Sequence, residues 1–262
     1  IFSHGFKGFK DWGPFNLISK IFAENGFTFL KFNFSHNGTT IADPLNFNDL
    51  EAFGNNNFSI ELNDLSLVLD WSVQNLNISD ITLLGHSRGG GVSMLKSGED
   101  KRVKRVISWS SPSSFLNRAS TDRVEIWKQK GVSFVYNGRT KQNMPLYIQL
   151  YNDSEENKDR LDIQNSVSNL IIPQLIIHGD SDPTVLLKEA EDLHKWNPNS
   201  ELFILKGADH VFGASHPYNY NKIPSTLSKF PVILMPYSKK VYVKSKSVEV
   251  GRYMSPLKLF DY

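Results

Sequence analysis

The run Ile81-Thr82-Leu83-Leu84-Gly85-His86-Ser87-Arg88-Gly89-Gly90-Gly91 decides how this chain folds. A short apolar stretch leads into a glycine, a serine flanked by two variable positions, and a glycine-rich segment. The pattern G-x-S-x-G alone arises by chance about once in ten chains of this length, since each fixed residue type makes up roughly 7% of ordinary sequence. Its setting makes it informative. A strand runs straight into it, and a helical stretch through Leu95 leaves it. A strand, tight turn and helix need glycine where the chain turns sharply and where the helix lies close on the sheet. The same turn lifts the serine hydroxyl above the strand ends.

Outward from this run, short apolar segments alternate with helix-like ones, which predicts an α/β fold with a mainly parallel sheet flanked by helices. Phe27 to Phe34, Asp80 to Leu84, Val103 to Trp109, Gln174 to His178 and Glu201 to Leu205 read as strands. Phe15 to Glu24 and Leu62 to Val73 have helical spacing, the second with Leu62, Leu65, Leu69 and Val73 on its apolar face. Thr184 to Trp196 reads as a further helix with Leu186, Leu187, Ala190 and Leu193 inward. Two stretches break the alternation. His36 to Asn57 is polar and Asn-rich, a long loop; Ser111 to Leu170 lacks a clear central strand and reads as a lobe inserted over the sheet. Its Trp127, Tyr136, Tyr147 and Tyr151 either line an apolar pocket or form the lobe's own core. The expected organisation is a core of residues 1–110 and 171–225, an inserted lobe at 111–170 and an atypical tail at 226–262.

Composition bounds the function. The chain has 262 residues, of which 40% are hydrophobic and 21% charged, ordinary usage for one globular domain with a sizeable core. With 29 Lys and Arg against 27 Asp and Glu, net +2, a nucleic-acid-binding footprint is not expected. The longest apolar runs, such as Val232 to Met235, are too short to span a bilayer. The absence of cysteine excludes disulfides, thiolate catalysis and Cys-ligated zinc, and suits a reducing, cytoplasmic setting. Ile1 opens inside an apolar run, so the N-terminus is read as truncated, with any signal peptide lying upstream.

A nucleophilic serine needs a base and an orienting acid. Beyond the serine, the strand ending in His178-Gly179 leads to Asp180-Ser181-Asp182-Pro183, where a carboxylate at a strand's C-terminal end points to the ligand side of an open α/β sheet. One helix and one strand later comes Gly207-Ala208-Asp209-His210. The segments HGFKGFKDW, GHSRGG, HGDSDPTV and GADHVFG, in this order over residues 1 to about 213, resemble the α/β-hydrolase superfamily, most closely its small esterase, dienelactone-hydrolase-like and serine-aminopeptidase-like members. The resemblance implies that Ser87 is the nucleophile, Asp182 the acid and His210 the base, with the backbone N–H groups of Phe6 and Arg88 as oxyanion donors. It implies a serine hydrolase acting on an ester, or on an amide, of a small to medium molecule. A peptidase or acyltransferase with the same three residues, and a non-catalytic binding protein on this fold, are the alternatives.

Other readings stay open at several positions. Asp180 is an alternative acid, with Asp182 then capping the following helix, and His216 is a rival base. Asp209 reads as a solvated loop carboxylate, and His4, His86, His178 and His194 as structural residues. No His and carboxylate spacing suggests a metal, so neither a catalytic metal nor a cofactor is expected. The basic residues Lys7, Lys10, Arg88, Arg139 and Lys141 either attract an anionic substrate or are solvated and ion-paired. Two features depart from the superfamily pattern. No strands precede the HGF loop, and Pro231 and Pro236 in the tail oppose the usual closing helix, so an irregular segment is expected there.

Overall fold

The computed structural model describes residues 1–116 and 120–219, together with four short strands further on, at Val232–Met235, Val241–Val243, Lys246–Val248 and Ser255–Lys258. Apolar β-rich segments become a five-stranded parallel sheet. Its strands are β1 (Phe2–Ser3), β2 (Ile81–His86), β3 (Val103–Trp109), β6 (Gln174–Gly179) and β7 (Glu201–Leu205), in that spatial order. Parallel neighbours cannot be joined by a tight turn, so each connection carries helix. These are α1 (Phe15–Glu24), α2 (Leu50–Gly54) and α3 (Phe58–Leu76) before β2, α4 (Arg88–Glu99) before β3, and α8 (Leu187–Trp196) before β7. The chain between β3 and β6 contains α5 (Thr121–Lys130), an antiparallel hairpin of β4 (Val132–Asn137) and β5 (Gln142–Tyr147), α6 (Gln149–Glu156) and α7 (Ile163–Ser168).

The period-two alternation of the strands divides the core between the sheet's two faces. Leu83, Val106 and Ile176 face one cluster, which α3, α4, α7 and α8 close with Leu65, Met94, Val167 and Leu193. Leu84, Ile107 and Ile177 face the other, closed by Phe15, Ile18 and Phe22 of α1. Residues of the 111–170 stretch join the first cluster directly, including Phe115, Leu150 and Leu161, while Met144 packs with Phe9, Phe47 and Phe53.

Five expectations are corrected at this level. A strand does precede the HGF loop, since β1 (Phe2–Ser3) runs into His4 and pairs parallel with β2. Phe27 to Phe34 is not a full strand; it makes one bridge, Phe2 to Lys31, and one hydrogen bond from Phe2 N–H to the Leu30 carbonyl at 2.8 Å. Its neighbour β1 is two residues long and offers no further ladder. Val73 is 37% exposed, because Ser72 takes the inward position after Leu69 and satisfies its hydroxyl on the Val68 carbonyl at 2.7 Å. Leu186 is 62% exposed, because it is the extended residue just before α8, so the helical phase starts one position later. The stretch read as a loop, His36 to Asn57, also contains the short helix α2, which Asp49 caps by accepting from Ala52 N–H at 2.9 Å. In the tail, β8 (Val232–Met235) pairs antiparallel with β11 (Ser255–Lys258), and β9 (Val241–Val243) with β10 (Lys246–Val248). The irregular segment expected at 226–262 otherwise lies outside the described residues.

What fixes the site is how closely α4 approaches the sheet. A Cβ on Gly85 would stand 2.1 Å from the Gly89 carbonyl oxygen, and one on Gly89 would stand 2.3 Å from that of Ser3. Neither neighbour is a flexible side chain, so only glycine permits the crossing. Gly89→Ala should therefore lower stability by about 1–3 kcal/mol or more by overpacking against backbone. Gly138→Ala, whose added methyl meets nothing within 4 Å, should stay within about 0.5 kcal/mol of the parent. Denaturant midpoints of the two variants check the ranking.

Candidate active site

Ser87 sits between β2 and α4 with φ 54° and ψ −125°, a conformation that a residue with a Cβ adopts only when its surroundings enforce it. The enforcing bonds are local. Ser87 N–H donates to the Trp109 carbonyl at 2.8 Å, and the Ser87 carbonyl accepts from Gly90 N–H at 2.8 Å as the helix begins. Ser87 and the loops after β6 and β7 then meet at the same end of the sheet. His210 Nε2 lies 3.0 Å from Ser87 Oγ, and His210 Nδ1 lies 2.7 Å from Asp182 Oδ2. Both distances are hydrogen bonds, with the hydroxyl donating to Nε2 and Nδ1–H donating to the carboxylate.

Asp182 is buried, and its second oxygen is also occupied. Oδ1 accepts from Thr184 N–H at 2.8 Å and Val185 N–H at 3.0 Å. Burial alone would raise its pKa, but the bonds from His210, Val185 and Thr184 outweigh that and hold the carboxyl below the ordinary Asp range. Asp180 is elsewhere: its Oδ1 accepts from Gly207 N–H at 2.6 Å and from the Ser181 hydroxyl at 3.1 Å. His216 is likewise engaged away from the serine. Its Nδ1 accepts from Gly13 N–H at 3.0 Å, and its ring packs on Phe9 and Trp12. Asp209 accepts from Val211 and Gly213 N–H at 3.1 and 2.7 Å, and His194 bonds Ser200.

The three buried histidines around the site are framework. His4 donates from Nδ1 to the Gly5 carbonyl at 2.9 Å and accepts at Nε2 from Phe34 N–H at 3.3 Å. His178 donates from Nε2 to the Val185 carbonyl at 2.9 Å, bracing the turn that presents Asp182. His86, the variable residue before the serine, donates from Nε2 to the His210 carbonyl at 2.8 Å. The strand end thus holds the histidine loop directly.

The loop after β1 follows the same logic. Gly5 lies against the serine, since a Cβ there would meet Ser87 Cβ at 3.0 Å. The loop turns back through a bond from Gly8 N–H to the Gly5 carbonyl at 3.0 Å, with Lys7 at φ 55°. Neither Phe6 N–H nor Arg88 N–H meets an acceptor among the described residues. The basic residues are variously engaged. Arg88 pairs with Glu61 at 3.2 Å, and Lys10 pairs with Asp11. Lys7 Nζ donates to the Tyr136 carbonyl at 3.2 Å, and Arg139 to that of Leu45 at 3.2 Å. Trp127 donates from Nε1 to the Leu146 carbonyl at 2.7 Å, and the Tyr147 hydroxyl donates to Glu51 at 2.6 Å, so both polar tips hold the inserted stretch to itself and to α2.

Sequence reasoning missed Glu61, which is buried in α3 beneath Arg88 and also accepts from Asn56 Nδ2 at 2.7 Å. The signal was present: Phe58, Glu61, Leu62 and Leu65 share one helix face, so the carboxylate stands where an apolar residue is expected.

With this geometry in view, the chain can be compared with known proteins. No protein-family model and no curated protein matches the sequence. Solved structures do. Est1E from Butyrivibrio proteoclasticus with ferulic acid bound is 20% identical, covers 80% of each chain and has a TM-score of 0.64. The α/β hydrolase GrgF from Penicillium sp. sh18 is 18% identical over 80% of this chain and 81% of that one, with a TM-score of 0.63. A monoacylglycerol lipase from Paleococcus ferrophilus is 16% identical over 80% and 84%, with a TM-score of 0.56. The chain has the α/β-hydrolase fold. Among the described residues no helix is long and apolar enough to cross a membrane.

The buried histidines give the site a pH signature. Burial lowers the pKa of His4 to about 4, and burial with the neighbouring His210 lowers that of His86 to about 4, against 6.5 for a free histidine. Between those values the unfolded chain binds protons that the native chain refuses, so stability is full above about pH 6.5 and falls as the pH drops towards 4. Each group accounts for on the order of 3 kcal/mol. Asp182, whose pKa is lowered, adds its loss only below the ordinary Asp value. Urea unfolding at pH 7 and pH 5 should show the decline. In His86→Gln the decline should be smaller, because one titrating group is gone.

Proposed function

We propose that this protein is a serine hydrolase that cleaves an ester bond, in preference to an amide, of a small to medium substrate. The observation that carries the reading is the continuous hydrogen-bonded line from Ser87 Oγ through His210 to Asp182, 3.0 and 2.7 Å, on a serine held at φ 54°. A strained serine bonded to an imidazole, which is in turn bonded to a buried carboxylate, is the arrangement that makes a hydroxyl nucleophilic at neutral pH. The names of the similar structures, an esterase domain from a Rhodothermus marinus protein and a lipase among them, support a hydrolase on this fold.

In this reading Ser87 Oγ attacks the ester carbonyl carbon as its proton passes to His210 Nε2. Asp182 keeps Nδ1 protonated and stabilises the imidazolium. The negative oxygen of the tetrahedral intermediate accepts from the N–H groups of Phe6 and Arg88. Collapse breaks the bond to the alcohol oxygen, which takes the proton back from His210, and leaves Ser87 acylated. Water then gives a proton to His210 and attacks the acyl carbon; collapse breaks the bond to Ser87 Oγ, which takes that proton from His210 as the acid leaves. The inserted stretch at 111–170 is proposed to bound the acyl side and set substrate size; its hairpin reaches the oxyanion loop through Lys7 and Tyr136.

Labelling with a fluorophosphonate, followed by a panel of ester chain lengths and matched amides, tests this. Wild type should label at one serine. Ser87→Ala should abolish labelling and lower kcat by several orders of magnitude. Asp182→Asn should cost roughly 10³-fold or more in kcat through the wrong imidazole tautomer, and Asp180→Asn only a few-fold. Labelling at another serine, or the reverse ranking of the two aspartates in folded variants, would contradict the assignment. An unlabelled wild type would point to a binding protein, and amide turnover exceeding ester turnover to a peptidase.

A further inference from the structure

Arg88 follows the nucleophile, and its side chain does something its backbone role does not require. The guanidinium lies over two aromatic rings, with its central carbon 4.5 Å from the centroid of Phe6 and 4.7 Å from that of Phe58. Nη1 donates to Glu61 Oε1 at 3.2 Å, and Asn56 bonds the same oxygen. The stack continues, because Phe58 lies parallel to Phe115 with centroids 4.2 Å apart and planes 11° from each other. The guanidinium therefore packs on the ring of Phe6, the residue that carries the other oxyanion N–H in this reading.

We infer that the Arg88 side chain is a positioning residue: clamped on Phe58 and Glu61, it holds the Phe6 ring, and through it the loop that aims the Phe6 N–H at the developing oxyanion. This rests on the hydrolase reading above. Phe6 and Arg88 are far apart in sequence and share no backbone bond, so their two donors need a side-chain link to keep a fixed separation. A planar cation over two rings supplies one, since it packs on both while its edge stays bonded to a carboxylate. The cation is not free to meet a substrate anion, because Glu61 neutralises it; its contribution is to geometry.

An interaction of this kind acts on the transition state more than on the bound ester. Arg88→Met, which keeps bulk but loses the flat cation, should lower kcat by about 10- to 100-fold while KM moves less than about threefold. Affinity for a trifluoromethyl ketone, whose adduct carries the oxyanion, should weaken in step with kcat/KM. Arg88→Lys, which keeps the charge and its carboxylate but not the planar stack, should recover only part of the loss. Amide exchange at Phe6, Lys7 and Gly8 should quicken in Arg88→Met, a readout that needs no turnover. Folded Arg88→Met with kcat within twofold of wild type, or with ketone affinity and loop exchange unchanged, overturns the inference while leaving the hydrolase reading intact. Full recovery in Arg88→Lys also overturns it, because charge alone would then suffice. A wild type that neither turns over esters nor labels at Ser87 overturns the hydrolase reading and this inference with it.

Discussion

The first turn of α4 lies against the backbone of β1 and β2 at a separation that no side chain tolerates, and the rest of the site is built on that approach. Gly85 and Gly89 allow it. Because the helix must start there, the residue between strand and helix is forced out of the allowed regions for a residue with a Cβ, and that residue is Ser87. The bond from its N–H to Trp109 on the adjacent strand leaves the conformation no room to relax. The hydroxyl therefore stands above the strand ends at a fixed point, and every other functional group is placed relative to it. The loops after β6 and β7, which carry Asp182 and His210, leave the same end of the sheet because the strands are parallel.

Parallel strands bring the loops together but do not fix their conformations; buried imidazoles do. His178 ties its own strand end to Val185, closing the turn whose N–H groups also bind Asp182. His86 ties the serine's strand to the carbonyl of His210. Each donates to a carbonyl, and burial with the neighbouring His210 holds the His86 ring neutral. Asp182, by contrast, stays charged because three hydrogen bonds, from Thr184 N–H, Val185 N–H and His210 Nδ1, are supplied to it. The site thus separates its buried titratable groups by environment. His4 and His86 are held neutral by burial, and Asp182, with its matched donors, stays ionised beside His210.

Much of this was legible in the sequence, and the reason is period and punctuation. The strands β3 and β7 and the helix α1 have the bounds that their apolar patterns predict, since each is covered on a face that the pattern records. The serine, aspartate and histidine were legible because each sits at the C-terminal end of a readable strand. The misreadings have physical causes. The aromatic run Phe27 to Phe34 has strand composition but only a two-residue neighbour, and a strand needs a partner to hydrogen-bond with. Leu186 has the right residue type and the wrong phase. The hairpin of β4 and β5 escaped notice because it belongs to no central sheet, and its strands are only partly covered, so the alternation that would mark them is weak. Glu61 and the stack above it were out of reach for a different reason. Residues 6, 58 and 88 meet only in three dimensions, and no local pattern encodes a contact between three separate elements.

Two groups at the serine's end of the sheet carry positive charge, and charge balance separates them. Arg88 is the obvious one, yet its guanidinium is bonded to a buried carboxylate, and an ion pair of that kind has little net field a few ångströms away. The other source is the start of α4. Its first N–H groups have no helical acceptors, and their dipoles add to a partial positive charge at that end of a twelve-residue helix. Arg88 N–H is one of those groups, while the Arg88 side chain packs on the Phe6 ring. A cation added at a helix N-terminus opposes the dipole. Glu61 removes that conflict, and its acidic charge lies at the first turn of α3, where the dipole of its own helix favours it. The pair is therefore consistent with both helices it bridges. That accounts for how a charged residue can follow Ser87, packed among rings, at the start of a helix.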